Sequence, residues 1–231
     1  MDLFPGRNVI QIAGVMDQFE AEMLAQCGVD LLGFPLRIES GEEDLSESDA
    51  RDVMSRLQRP ARGVVITYLE EASAIADLCR RVGTEIIQLH GDVPVAMLEE
   101  LRESVPGLSV IKSLIVRGDN TAELKDLVDR TRPYVHAYIT DTFDATTGRR
   151  GATGATHDWS VSRRIVGYSP HPVILAGGLN PDNVARAIRA VRPFGVDAHS
   201  GVEDDSGRKS QTLVKNFVLE ARKGFESLDK E

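Results

Sequence analysis

Cysteine is scarce in this sequence. Its 231 residues hold two, Cys27 and Cys79. Both lie in helical-looking stretches without metal-ligand spacing, so they read as reduced, buried thiols of a cytosolic protein. An excess of positive charge is also missing. Lys and Arg number 27 against 36 Asp and Glu, a net charge of −9. That balance argues against a nucleic-acid surface and for a small-molecule enzyme. No apolar run approaches the roughly 18 residues that a membrane span needs. The opening "MDLFPGRNV" has neither a basic region nor a long apolar core, so it does not read as a signal peptide. The expected location is the cytoplasm, with no membrane partner.

What is present is alternation. Short β-branched runs alternate with amphipathic helical stretches eight times. The predicted strands cover 9–14, 31–36, 63–67, 86–91, 109–116, 137–142, 173–178 and 195–200. Repeated βα units imply parallel strands, and eight of them predict a single (β/α)8 TIM barrel spanning 1–231. Ser46 reads as the cap of the second helix, and Asn180-Pro181 as the opening of the seventh. Gly28 and Gly83 read as helix stops. Two long irregular stretches, 37–48 and 143–159, come after strands 2 and 6. Both therefore fall on the face of a barrel that carries catalysis.

The last two βα units are the most informative. "LAGGLNPDNV" places Gly177 and Gly178 at a strand end before a helix, and "GVDAHSGVE" places Ser200 and Gly201 at the next. Glycines let backbone N–H groups approach an anion, and loops after barrel strands 7 and 8 commonly cradle phosphate. Taken singly, each glycine pair reads equally well as a tight turn.

Several segments together carry a resemblance. "QLHGD" 88–92, "VIKS" 110–113, "TDT" 140–142, "GATGATHDW" 151–159, "LAGGLNPDNV", "VRPFGVD" and "SGVE" are similar to the phosphoribosylanthranilate isomerase family of the tryptophan pathway. The resemblance covers almost the whole chain. It implies ring opening and Amadori-type rearrangement of a phosphorylated ribosyl amine to a 1-amino-1-deoxyketose phosphate. No cofactor and no metal are implied, and the chain is expected as a monomer or homodimer. The chemistry needs a general acid at the ring oxygen and a base at C2.

The resemblance implies that Asp141 is the acid, although an aspartate there reads also as a turn or cap residue. The family base is a cysteine ending strand 1 in K-I-C-G. Here the segment is Gln11-Ile12-Ala13-Gly14, and the methyl group of Ala13 takes no proton. His199, where the family commonly has a small residue, is a candidate base or phosphate ligand. His90 matches a pocket-lining histidine and is a second candidate. Asp197 matches an aspartate that positions substrate hydroxyls or the amine. A family arginine in the loop after strand 2 falls near Glu43, so Arg37, or Arg149 with Arg150, is expected to hold the aglycone carboxylate. Arg149 and Arg150 read equally as solvated loop residues, and His157 as packing.

The expected reaction is therefore the family's, with altered or weak activity because the usual base is absent. Two other readings stand beside it: a paralogue with a new phosphosugar substrate in specialised metabolism, and a non-catalytic phosphosugar-binding protein.

Overall fold

The structure, a computed structural model, describes residues 6, 8–38, 45–90, 92–142 and 158–229. Eight strands alternate with eight helices. The first half runs β1 (Val9–Ala13), α1 (Gln18–Gln26), β2 (Leu31–Pro35), α2 (Glu47–Arg56), β3 (Arg62–Thr67), α3 (Ala72–Val82), β4 (Ile86–Leu89) and α4 (Val95–Ser104). The second runs β5 (Ser109–Val116), α5 (Thr121–Thr131), β6 (Ala137–Thr142), α6 (Trp159–Tyr168), β7 (Val173–Leu175), α7 (Val184–Val191), β8 (Gly195–Ala198) and α8 (Gln211–Leu228). All strands are parallel, and β1 pairs with β8 to close a (β/α)8 barrel.

Alternation along each strand sorts side chains into two cores. Val9, Leu31, Val64, Ile86, Ile111 and Ile174 point inward and fill the barrel. Phe34, Tyr138, Leu175, Phe217 and Phe225 belong to the outer layer between strands and helices. Gln11 and Gln88 share the inward parity, and both are buried.

Helix starts obey the expected chemistry. Asp17 accepts from the Glu20 N–H at 2.8 Å, Ser46 from Asp49 at 3.1 Å, and Asp158 from Ser160 at 2.9 Å. The seventh helix begins later than Asn180-Pro181. Asn180 and Asn183 bond to each other in a turn, Asn180 N–H to Asn183 Oδ1 at 2.9 Å, and α7 starts at Val184. Cys79 is buried and Cys27 is half-buried; both thiols are free. Cys27 stands at the end of α1, where the helix meets the surface.

Several strands end earlier than the sequence predicts, most of them at a glycine or a turn. Gly14 has φ +80°, which ends β1 at Ala13, and Gly177 and Gly178 have φ +98° and +62°, which ends β7 at Leu175. β8 gives way to a 3-10 turn, Ser200–Val202. β4 ends at Leu89, and the predicted end at residue 91 lies outside the described residues. Among the described residues, no helix is long and apolar enough to cross a membrane.

Candidate active site

A cavity opens at the C-terminal ends of the strands. Ala13, His90, Asp141, Asp197 and His199 line it, together with Gly177, Gly178, Ser200 and Gly201. Nine of the twelve residues singled out in the sequence thus converge on one cavity. Arg37 does not line it. Its guanidinium turns outward between α2 and α3, to Glu47 at 2.7 Å, Asp77 at 3.0 Å and the Ala74 carbonyl at 3.2 Å. Arg149, Arg150, Glu43 and His157 lie outside the described residues.

Asp141 is the penultimate residue of β6. Ile66, Pro35 and Ile139 line the same cavity. Burial pushes its carboxyl up to about 7, opposed by a hydrogen bond from the Thr142 N–H at 2.7 Å. An acid poised there holds its proton up to neutral pH and is able to give it away. Asp197, on β8, is raised well above the usual carboxylate range by burial and by the charge of Asp141. The Gln11 side chain and Lys209 oppose that rise. Two buried carboxyls that repel each other do not both ionise readily.

His90 and His199 are both held neutral. Burial and Lys112 push His90 down to about 3. Burial and Lys209 push His199 down, with Glu203 opposing. The His199 ring lies over Gly14, where an added Cβ would come within 2.3 Å of Nε2. The imidazole thus occupies the space beside the end of β1, next to Ala13. Its Nε2 is 3.4 Å from Glu203 Oε1, and Glu203 also pairs with the buried Lys209.

The glycine loops form the other wall. Among the described residues, no hydrogen-bond partner meets the backbone N–H groups of Gly177, Gly178, Ser200 or Gly201. Gly201 packs so closely that an added Cβ would sit 2.0 Å from the Leu179 carbonyl oxygen. Asn183 fixes the first loop by donating to the Gly178 carbonyl at 2.9 Å. Such a concave set of donors suits an anion without any basic side chain.

A family profile described as PRAI, N-(5'-phosphoribosyl)anthranilate (PRA) isomerase, matches residues 13–220. The chain belongs to the phosphoribosylanthranilate isomerase family. Its relatives include N-(5'-phosphoribosyl)anthranilate isomerase 2 of Methanosarcina mazei, 36% identical over 94% of this chain and 95% of that protein. The isomerase of Haloferax volcanii is 33% identical over 95% and 96%. Among solved structures, the Thermotoga maritima isomerase superposes with a TM-score of 0.79 at 29% identity, covering 94% of this chain and 99% of that one. Another structure of a phosphoribosylanthranilate isomerase holds reduced 1-(o-carboxyphenylamino)-1-deoxyribulose 5-phosphate, and matches with a TM-score of 0.77 at 28% identity over 94% and 99%.

Three further site residues were not singled out in the sequence. Gln88 lines the cavity two residues before His90, on the same strand face, and alternation alone places it there. Tyr68 stands with its ring 5.3 Å from that of His90. Glu203 reaches His199 from the end of the 3-10 turn after β8, a placement that a local motif does not announce.

Proposed function

We propose that this chain isomerises a phosphorylated ribosyl amine, phosphoribosylanthranilate or a close analogue, with His199 in place of the absent cysteine. The observation that carries the reading is Asp141: a buried carboxyl, protonated up to about pH 7, in one cavity with the two glycine loops. The phosphate binds to the N–H groups of Gly177, Gly178, Ser200 and Gly201.

Asp141 gives its proton to the ring oxygen as the C1–O bond breaks. The amine lone pair forms the C1=N bond of an iminium. His199 then takes the C2 proton, and the C–H electron pair forms the C1=C2 bond while nitrogen recovers its lone pair. The enolamine accepts a proton at C1 and loses the proton of its 2-hydroxyl, whose O–H electron pair forms the C2=O bond of the ketone. Glu203 stabilises the imidazolium that forms. Asp197 orients the substrate's polar groups.

Turnover of phosphoribosylanthranilate by the native chain and by Ala13→Cys, His199→Ala and Asp141→Asn tests this. We expect slow native turnover that falls at His199→Ala and Asp141→Asn and rises at Ala13→Cys. Native turnover indifferent to His199→Ala overturns the relocated base. No turnover by any of the four overturns the isomerase reading. Melting-temperature shifts with phosphoribosyl amines against plain sugar phosphates then separate a changed aglycone from simple phosphosugar binding.

A further inference from the structure

Gln11 and Gln88 are amides inside a barrel whose other inward positions at this depth are mostly branched and apolar. Buried amides persist where hydrogen bonds hold them, and these two are linked in series. Gln11 Nε2 donates to Gln88 Oε1 at 2.8 Å. Gln88 Nε2 lies 2.7 Å from His90 Nε2. His90 Nδ1 then faces Asp141 Oδ2 at 3.8 Å and, among the described residues, meets no hydrogen-bond partner. At the far end, Gln11 sits opposite Asp197 on the neighbouring strand, and its side chain opposes the rise that burial imposes on the Asp197 carboxyl.

The direction of every link is set by the first. Gln11 Nε2 is the donor at 2.8 Å, so the NH2 group of Gln11 meets Gln88 Oε1. Gln88 is then left with its own NH2 toward His90. An imidazole nitrogen that accepts from an amide carries no proton, so the His90 proton is on Nδ1.

We propose that Gln11 is a positioning residue which, through Gln88, holds His90 as the Nδ1–H tautomer and aims that N–H at Asp141. His90 then meets the Asp141 carboxylate at the moment it has given up its proton. The gap of 3.8 Å is of the kind that closes when substrate fills a site. The role in catalysis rests on Asp141 being the acid; the tautomer itself does not. Other titratable groups near these are Lys112 and His199 beside His90, and Lys209 beside Asp197.

Opposite-polarity substitutions test the direction. Gln11→Lys keeps a donor toward Gln88. At a pH where the new carboxyl is ionised, Gln11→Glu presents only acceptors, so Gln88 turns its NH2 to it and its carbonyl to His90, which moves the His90 proton to Nε2. Gln88→Glu does the same one link later. The readout is the imidazole ¹⁵N spectrum of the ligand-free chain, with His90 assigned by its loss in His90→Gln. We expect Nδ1–H in the native chain and in Gln11→Lys, and Nε2–H in Gln11→Glu and Gln88→Glu. Nε2–H in the native chain overturns the proposal, and so does Nδ1–H in both glutamate variants. If one variant fails to fold, the other and the native spectrum decide. In turnover, kcat of Gln11→Glu falls about ten-fold with KM unchanged. A switched tautomer in a chain that turns over no phosphoribosyl amine leaves this inference standing and removes the isomerase reading instead.

Discussion

At the scale of single residues, Asp141 carries the largest consequences. Its value of about 7 in the folded chain lies above the ordinary 3.8, so the folded chain binds this proton more tightly than the unfolded one. A group raised in this way costs stability as pH climbs, and the full cost is reached above about pH 7. Asp141→Asn removes the charge. We therefore expect Asp141→Asn to melt higher than the native chain at pH 8, by a difference on the order of a few kcal/mol, and to match it near pH 4. Thermal unfolding at the two pH values checks this. The same substitution is expected to lower kcat by roughly 10²–10⁴-fold. With Asp141 as the proposed acid, catalysis uses the protonated form, so kcat/KM of the native chain should fall as pH rises through about 7. A pH–rate profile flat from about 6 to about 8.5 would contradict that. Ala13→Cys should raise kcat, because its side chain faces the cavity at the end of β1. The sequence singled out Asp141 as a match to the family's pattern and Ala13 and His199 as departures from it, and all three line the cavity. It did not identify the partners of His199, because Glu203 and Lys209 reach it across a turn. The sequence also left Arg37 open as a clamp, and the fold turns it toward Glu47 and Asp77.

At the scale of elements, strands and helices were legible because hydrophobic runs are strong in a barrel buried on both faces. Their ends were less so. β7 is three residues long because Gly177 and Gly178 take positive φ, and a run of apolar letters does not reveal where backbone handedness changes. The loop after β8 is tied to that bend by contact. Gly201→Ala would drive a Cβ into the Leu179 carbonyl oxygen, so the 3-10 turn must shift away from the Gly177-Gly178 loop. We expect weaker phosphate binding, seen as KM raised about ten-fold or more, with a smaller loss in kcat. Gly224 plays the corresponding part for packing. It lets α8 lie against α7, with an added Cβ 3.0 Å from Ala185 Cα and 3.1 Å from Ile188 Cδ1. Gly224→Val should destabilise by about 1–3 kcal/mol through overpacking, measured by denaturant unfolding, while KM stays put.

At the scale of the whole molecule, the barrel wall is not uniform. β5 and β6 run beside each other over six residue pairs, from Ile111 opposite Ala137 to Val116 opposite Thr142. β7 and β8 meet only at Ile174 opposite Gly195 and Leu175 opposite Val196. The thinnest stretch of wall thus lies directly beneath the two glycine loops. An anion held by both loops would act as a rivet across that stretch, joining what two short strands hold loosely. Its effect on the protein should therefore be local before it is global. Inorganic phosphate should slow hydrogen exchange in β7, β8 and the adjoining turn more than in β3 to β5. If so, a bound anion completes a wall that the polypeptide leaves thin, and the barrel is most easily breached beneath the two glycine loops.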